Sequence, residues 1–491
     1  MNCGQAVRFD KTTPHLTSTD YPVKVPETLE RPERLSWSLD AARWRQLVAA
    51  SLLFALYASL SIRQHHLGLT GGYDLGIFEQ AVRHLANFEV PRTLVNGEIF
   101  PRFIVVLIAP FYALFPTPVT LLVVQAFLMA VGVIPLMSWA ERSLGKDASA
   151  VVAIVYGIAP GIATAVGFDF HEIAFAVPLL AFSMSALGQQ HWHRAVYWAI
   201  PLVFVKEDLG LTVAAIGIYV FFRGERKLGA TAAVVGVFST AVTMLFIFPA
   251  LSKSGEYLFT QTMMPQSLFG SLETVFSGLD LKLLTIIALL GPTAFFALKS
   301  PLVLMALPTL GWRFMSDNPL FWVPEFHYDA VLVPIVTAAF IDGISKKTGR
   351  RERTIFLATP LICTIVLASA FDFSRLASKN FWSENPHAEA IHRLTALVPD
   401  DARVAATNNI VPQLTSRTTT YEFGTDGDFG PGWQPNNWKS ADWILVDTRA
   451  AAQFKQGNAA AFREQLVHGF TLVAEEDGIR LARRQRDRPP R

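Results

Sequence analysis

Residues 119–140 read VTLLVVQAFLMAVGVIPLMSWA and contain no charged side chain. A helix needs about 20 apolar residues to cross the hydrocarbon core of a bilayer, so this segment predicts a transmembrane helix. Comparable apolar runs recur on both sides of it and bring the number of predicted spans to about eleven. They cover residues 47–62, 149–166, 173–187, 195–205, 209–222, 229–251, 283–298, 301–310, 330–341 and 354–371.

The composition of the whole chain agrees with a membrane protein. Of 491 residues, 51% are hydrophobic and only 17% are charged, with a mean hydropathy of +0.33. Soluble proteins carry about 25% charged residues, and disordered chains contain few apolar residues. The composition therefore argues against both classes. The balance of 42 Lys and Arg against 40 Asp and Glu gives no global basic field, so we expect no nucleic-acid partner. Two cysteines, Cys3 and Cys363, exclude a disulfide framework.

The distribution of basic residues predicts the orientation. Short cytoplasmic loops carry an excess of Lys and Arg, and nearly all dense basic loops fall on the side of the N-terminus when eleven spans are counted. Residues 103–115 are apolar but are closed by Pro116 and Pro118, and we interpret them as an interfacial or re-entrant segment. Residues 1–46 are then a disordered cytoplasmic tail, and residues 47–372 form the transmembrane domain.

The chain becomes polar after residue 372. Residues 385–397 and 449–468 have helical character, whereas 403–407 and 442–447 resemble strands. Two more short strands, 471–474 and 478–482, surround an Asp-Gly turn signal. Strands that alternate with helices predict a small extracytoplasmic α/β domain over residues 373–491.

The loop after the first span carries the sequence GGYDLGIFEQ at residues 71–80. An amphipathic helix begins near residue 77, and its pattern is typical of a helix that lies in the membrane interface. Asp74 stands just before it, where a carboxylate serves either as a helix cap or as a catalytic group, and the residue types leave both alternatives open. Glu79 lies on the polar face of the same helix.

Three further polar clusters fall on the same predicted side. Ionisable residues within or beside membrane segments are costly and mark functional sites by default. Asp169, His171 and Glu172 could hold a divalent metal ion, although a capped polar loop is an alternative. The other clusters consist of Lys206, Glu207 and Asp208, and of Arg313, His327 and Tyr328. An internal ion pair and an aromatic interface belt are the simpler interpretations of these two clusters.

Several motifs together resemble those of a bacterial family of predicted polytopic membrane proteins of unknown function. The motifs are GYDLGIFEQ at 72–80, LLVVQ at 121–125, FHE at 170–172, VKEDL at 205–209 and HY at 327–328. The likeness covers residues 45–372, and the sequence ADWILVD at 441–447 is similar to the end of larger family members. The family itself resembles the GT-C glycosyltransferases, so the resemblance implies a GT-C-like membrane domain.

The resemblance also implies a function and a set of roles. GT-C enzymes use polyprenyl-phosphate sugars, and an acidic residue in the first outer loop is their usual catalytic base, a role that would fall on Asp74. Relatives carry an Asp-His pair soon after that loop, but here Glu98 and Ile99 stand in its place. Glu98 is therefore the remaining candidate for substrate binding at this position. Lys206 and Arg313 would bind the donor phosphate, and Glu79, Glu207, Asp208, His327 and Tyr328 would complete the substrate site.

We therefore expect an inverting glycosyltransferase in the bacterial cytoplasmic membrane. It would move a sugar from a lipid-linked donor to an envelope acceptor at the outer face, among membrane lipids, with a divalent metal ion as an optional cofactor. A transporter or flippase for a lipid-linked or anionic solute is the alternative, although such folds often contain internal repeats and none is visible. A scaffold whose C-terminal domain binds envelope partners is the third interpretation.

Overall fold

The computed structural model describes residues 40–94, 102–251, 273–345, 350–423, 438–451 and 457–485, with only the backbone for 350–354. Most of the expected N-terminal tail, and Glu98, lie outside these ranges. Residues Ala41–Arg491 cluster as one compact unit. The helices of its first part include α1 (Ala41–His66), α2 (Ile77–Ala86), α3 (Pro118–Leu144), α4 (Lys146–Gly157), α5 (Pro160–Phe168), α6 (Ala176–Gly188), α7 (Trp192–Ala199), α8 (Leu209–Phe222), α9 (Arg226–Leu251), α10 (Leu279–Leu290), α11 (Leu307–Met315), α12 (Leu332–Ser345) and α13 (Arg350–Ala368).

Three of the described helices, α1, α3 and α9, are long and apolar enough to cross a membrane. Helices α4 and α5 would count as a fourth span, bent by 43° where Pro160 opens the second helix. Other apolar helical stretches among the described residues, such as Leu209–Phe222 and Leu332–Ser345, have only 10–17 residues. Helix length therefore does not confirm eleven spans. One reason is that proline residues interrupt several apolar runs. Proline lacks a backbone N–H donor and clashes with the preceding turn, so it ends or bends a helix.

The expected span at 283–298 shows how such a break works. Helix α10 ends at Leu290, and a short turn over Gly291–Thr293 contains Pro292. Ala294 and Phe295 then adopt left-handed backbone angles, with φ of 48° and 61°. A left-handed residue cannot continue a right-handed helix. The run is therefore divided into a helix and a separate short turn, which corrects the prediction of one continuous segment.

The C-terminal part contains a five-stranded sheet. Its strands are β1 (Arg403–Ala406), β2 (Thr419–Glu422), β3 (Trp443–Asp447), β4 (Phe470–Glu476) and β5 (Ile479–Arg484), in the order β2-β1-β3-β5-β4. Strand β1 is parallel to both neighbours, and the other pairs are antiparallel. Asp477 and Gly478 both have positive φ, as an Asp-Gly hairpin turn requires. Helices α14 (Pro386–Ala396) and α15 (Asn458–Val467) belong to two separate apolar clusters that share strands of this sheet.

Helix α15 corrects a second prediction, because the expected helix at 449–468 begins only at Asn458. The side chain of Asp447 accepts hydrogen bonds from the backbone N–H groups of Arg449 and Ala450, at 2.8 and 3.2 Å. Such a side-chain turn competes with helix formation. Strand β2 was not predicted at all, since its four residues carry no apolar alternation.

The first loop and α2 pack against the C-terminal part of the chain, which contains the five-stranded sheet and is called the C-terminal domain below. Ile77 belongs to the same apolar cluster as α14 and β3. Helix α2 was expected to lie in the membrane interface, but its polar face donates hydrogen bonds to this domain. Gln80 Nε2 donates to Thr420 O at 2.8 Å, and Arg83 donates to Thr415 O at 2.9 Å. The two parts of the chain therefore share a core, and the amphipathic pattern of α2 serves a protein contact.

Glycines permit the closest approach at this contact. A Cβ added at Gly76 would lie 2.9 Å from Val411 Cγ1, whereas one added at Gly72 would lie 2.8 Å from Val411 Cβ. We expect Gly76→Ala to cost roughly 1–3 kcal/mol by overpacking, seen as a lower melting temperature in detergent. Val411→Ala removes Cγ1, so in that background Gly76→Ala should cost far less than it does in wild type. The same change should not restore Gly72→Ala, because Val411 Cβ stays; equal rescue of both variants would contradict the contact.

His387, in the first turn of α14, connects that helix to β3 and the β4–β5 turn. Its ring nitrogens lie 3.0 Å from carboxylate oxygens of Asp447 and Asp477. Burial alone would lower the pKa of His387, but the hydrogen bonds and negative charge of Asp447 and Asp477 raise the pKa above its ordinary 6.5. The cationic ring therefore stabilises the folded domain most fully below pH 6.5.

This contribution should be lost as the pH rises through the raised folded pKa of His387. His387→Gln keeps a hydrogen-bond donor but no titrating charge. We expect its melting temperature to lie furthest below wild type at pH 5.5 and to approach it at pH 8.5, measured by thermal unfolding across that range. A constant difference at every pH would show that the charge contributes nothing.

Candidate functional site

Asp74 lies in a tight helical turn, Gly72–Gly76, that precedes α2. Three successive backbone N–H groups before it are fixed from outside the turn. Gly71 N donates to Asp169 Oδ2 at 2.9 Å, Gly72 N to Asn408 O at 2.9 Å, and Tyr73 N to Asn408 Oδ1 at 3.1 Å. The cap positions of this turn and of α2 are glycines without a side-chain cap bond. The capping interpretation of Asp74 therefore finds no support.

The Asp74 carboxylate lies close to two imidazole rings, those of His171 and His327, from distant parts of the chain. One ligand atom each from Asp74, His171 and His327 lies within 4.8 Å of the others. The two imidazole rings stack with centroids 3.6 Å apart and an interplanar angle of 22°. His327 is only 5% exposed, and neither of its ring nitrogens has a hydrogen-bond partner among the described residues. Buried imidazole nitrogens without partners are unusual and indicate that a ligand completes the site.

The surroundings tune the charges of this cluster. Burial raises the pKa of Asp74, with His171 and Lys206 opposing that rise and Glu172 adding to it. Burial, together with the positive charges around it, lowers the pKa of His327 well below its ordinary value. A carboxylate with a raised pKa is suited to accept a proton near neutral pH, and a neutral imidazole is suited to bind a ligand.

A buried chain of charges lies beside the cluster. His171 Nδ1 is 2.5 Å from Glu172 Oε2, and Glu172 Oε1 is 3.3 Å from Arg102 Nε. Arg102 also forms a two-point ion pair with Glu207. Burial alone would raise the pKa of Glu172, but His171 and Arg102 hold it at about 2. Glu172 is thus ionised near neutral pH, and its carboxylate positions His171 and Arg102.

The Lys-Glu-Asp triplet is buried, and its members have different partners. Glu207 pairs with Arg102, and Asp208 accepts a hydrogen bond from Trp312 Nε1 at 2.9 Å. The Lys206 Nζ lies 5.8 Å from the Trp312 ring centroid and 5.6 Å from that of Tyr328. The simple alternative of an internal ion pair within the triplet is therefore not what the structure shows. The aromatic faces hold the ammonium in place while leaving its donors available to a ligand.

Arg313 is fully buried, and its guanidinium bonds within its own segment. It donates to Asp329, to Phe321 O at 2.8 Å and to Val323 O at 3.2 Å. Its charge is thus matched by Asp329, and these bonds hold the turn that carries His327 and Tyr328. We therefore assign Arg313 to positioning this turn, in place of the phosphate contact expected from the sequence.

Two other candidates stand apart from the cluster. Glu79 is fully buried and bonds Tyr112, and burial raises its pKa to about 7 despite hydrogen bonds from Thr415 and Tyr112. Its neighbours place it in the contact between α2 and the C-terminal domain. Glu98 lies outside the described residues.

The metal-ligand set that the structure brings together differs from the expected one. His171 is common to both, but Asp169 uses Oδ2 for Gly71 N, and Glu172 faces His171 and Arg102. Asp74 and His327 take their places. Two imidazoles and a carboxylate suit Zn²⁺ or a related transition metal, and the orphaned nitrogens of His327 fit such a role.

Sequence reasoning missed Arg102 and Asn408. Arg102 directly precedes the apolar segment 103–115. A single cationic residue at the edge of an apolar segment could have indicated a functional residue. Asn408 had none, because it lies in another predicted domain and its partners are backbone groups. Three-dimensional contact alone connects it to Asp74.

A family model described as a predicted membrane protein, DUF2079, matches residues 65–481 of the chain. The chain belongs to the DUF2079 family. The comparison with curated proteins finds no match.

Solved structures share the fold of this DUF2079 protein. ArnT from Cupriavidus metallidurans bound to undecaprenyl phosphate aligns with a TM-score of 0.57 and 12% identity, covering 91% of this chain and 99% of ArnT. Its apo form gives a TM-score of 0.54 and 13% identity, covering 90% and 98%. An oligosaccharyltransferase from Archaeoglobus fulgidus with Zn and sulfate gives 0.42 and 13%, covering 86% and 72%. The likeness to ArnT confirms, for the fold, the suspected resemblance to the GT-C glycosyltransferases.

Proposed function

We propose that this protein is a glycosyltransferase that moves a sugar from a polyprenyl-phosphate donor to an envelope acceptor. The observation that carries the proposal is the convergence of the Asp74 carboxylate, the unpartnered His327 imidazole and the Lys206 ammonium from separate loops. A base next to a cation is what the transfer of a sugar from a phosphate leaving group requires. The fold shared with ArnT, which was solved with undecaprenyl phosphate, supports the class of donor.

Asp74 acts as the general base in the proposed reaction. Its carboxylate takes the proton of the acceptor hydroxyl, and the hydroxyl oxygen forms a bond to the anomeric carbon of the donor. The bond between that carbon and the phosphate oxygen breaks, and the phosphate leaves with the bonding electron pair. Attack opposite the leaving group inverts the configuration. Burial raises the pKa of Asp74, which makes its carboxylate a stronger base than that of an exposed aspartate.

Lys206 stabilises the charge of the leaving phosphate. Ammonium groups bind phosphate as point charges with three donors. The pairing of Glu207 with Arg102 and of Asp208 with Trp312 leaves Lys206 without a carboxylate partner in its own triplet. A positive group that is held between aromatic rings is preorganised, so it needs no rearrangement when negative charge develops.

A cleft of about 350 Å³ provides a path for the lipid chain. Arg102, Lys206 and Glu207 line it together with apolar side chains from the 3₁₀ turn Ile200–Phe204 and from α9, including Phe204 and Phe238. Both phenylalanines are exposed in the absence of a membrane. The apolar wall is complementary to the polyprenyl chain, and the cationic group at its end is complementary to the phosphate. The donor would therefore enter sideways from the bilayer.

A divalent ion bound by Asp74, His171 and His327 would supply positive charge for the donor phosphate. One carboxylate oxygen of Asp74 suffices as a ligand, which leaves the other for the acceptor proton. The reaction would take place at the outer face of the bacterial cytoplasmic membrane, with the C-terminal domain outside and the N-terminus in the cytoplasm, as the distribution of basic loops predicts.

The test is a transfer assay with purified protein in lipid. A panel of polyprenyl-phosphate sugars with labelled sugar is supplied with envelope glycan, lipid and protein fractions as acceptors. We expect release of free polyprenyl phosphate together with labelled acceptor for at least one donor. Absence of both products for every donor, with protein that remains folded, would overturn the proposal.

A further inference from the structure

We propose that Asn408 of the C-terminal domain is a positioning residue for Asp74, so that this domain completes the site of the membrane part. Its carbonyl and its side-chain amide oxygen accept the N–H groups of Gly72 and Tyr73, the two residues directly before Asp74. Asp169 of the membrane part accepts the N–H of Gly71. The backbone of the turn is therefore held from both sides.

The topology of the sheet explains why Asn408 reaches this turn. Strand β1 has parallel neighbours on both sides, β2 and β3, and loops at such a point diverge and leave a crevice beyond the carboxyl ends of the strands. Small molecules commonly bind in this type of crevice. Here the loop after β1 carries Asn408, and the turn of Asp74 lies against it. The membrane part thus occupies the position that a ligand takes in other α/β domains.

The neighbouring Asn409 has a different task, which makes it a matched control. Its Nδ2 donates to Asp447 Oδ2 at 2.8 Å, at the end of β3, and so it acts within the C-terminal domain. Asn408 bonds across to the turn of Asp74. The two residues are adjacent and chemically identical. Their substitutions therefore separate damage to the domain from loss of the contact.

The consequence for catalysis rests on the proposed function. Tyr73 N loses its acceptor in Asn408→Ala, and Asp74 follows it directly in the chain. Small errors in the position of a catalytic group cost large factors in rate while leaving substrate binding intact. We expect kcat to fall roughly 10- to 100-fold in Asn408→Ala with the donor KM changed less than about threefold. Asn409→Ala should lower kcat less than about threefold.

The first measurement needs no substrate. Hydrogen–deuterium exchange of the peptide covering residues 69–77 is compared in wild type, Asn408→Ala, Asn408→Asp and Asn409→Ala, all as full-length protein in lipid. We expect exchange to be about 2- to 10-fold faster in Asn408→Ala, because one hydrogen bond is lost. Asn408→Asp keeps an oxygen acceptor of the same shape and should restore slow exchange. Asn409→Ala should leave this peptide unchanged.

Exchange and kinetics together decide the proposal. Unchanged exchange in Asn408→Ala, or equal acceleration in Asn409→Ala, would show that Asn408 does not fix the turn. Faster exchange with an unchanged kcat would show that the fixation has no catalytic role. If exchange behaves as expected but wild-type protein transfers no sugar, Asn408 fixes the turn and it is the proposed transferase function that fails.

Discussion

Replacement of Asp74 by Asn is expected to reduce sugar transfer by a factor of at least about 100, because general base catalysis contributes about 10²–10⁴ to rate. Asn has nearly the same shape as Asp but cannot accept the acceptor proton. The backbone of the turn is held by Gly71, Gly72 and Tyr73 bonds that do not involve this side chain, so the protein should fold normally. The measurement is kcat for labelled transfer.

Asp280 provides a matched control for this change. It is an exposed acidic residue in the first turn of α10. Asp280→Asn should leave transfer and melting temperature close to wild type. Full activity in Asp74→Asn would remove Asp74 from the mechanism and would leave another group to act as base.

Replacement of Arg313 by Met is expected to have the largest effect on stability. Arg313 and Asp329 form an ion pair in which both side chains are nearly inaccessible. Removal of one partner leaves an uncompensated buried charge, which costs about 3–5 kcal/mol. Loss of the bonds to Phe321 O and Val323 O would also release the turn of His327. The readout is the melting temperature and the folded fraction after extraction in detergent.

The double variant Arg313→Met, Asp329→Asn tests the cause. Asn carries no charge, so the double variant should regain part of the stability that the single variant loses. A phosphate-binding role would predict the opposite pattern: normal stability in Arg313→Met and a raised KM for the donor. Normal stability of the single variant would contradict the structural assignment of Arg313.

The sequence predicted the helical part well where apolar runs are continuous. Residues 47–62 fall within α1, and 119–140 fall within α3, because burial in lipid requires little beyond length and apolarity. The prediction was weaker at 283–298, where Pro292 and two left-handed residues end the helix. In the C-terminal domain the Asp-Gly turn predicted the β4–β5 hairpin, whereas β2 was missed because its pairing with β1, more than its own residues, determines it.

The candidate site was predictable residue by residue but not as an arrangement. Asp74 and His171 were recognised from motifs, since ionisable groups at membrane edges are costly and conspicuous. Their partners depend on contacts between segments far apart in the chain. His327 joins Asp74 although more than 250 residues separate them. Asn408 accepts hydrogen bonds from backbone N–H groups, and no pattern of side chains in the sequence predicts such contacts.

A single measurement tests the central claim most directly and separates it from the transporter alternative. Purified protein in sealed lipid vesicles receives a polyprenyl-phosphate donor with labelled sugar together with an acceptor, and both free polyprenyl phosphate and the sidedness of the label are followed. The proposed function predicts that the carbon–phosphate-oxygen bond is broken and that labelled acceptor accumulates. Movement of intact donor across the bilayer, with no free polyprenyl phosphate and no labelled acceptor, would contradict it.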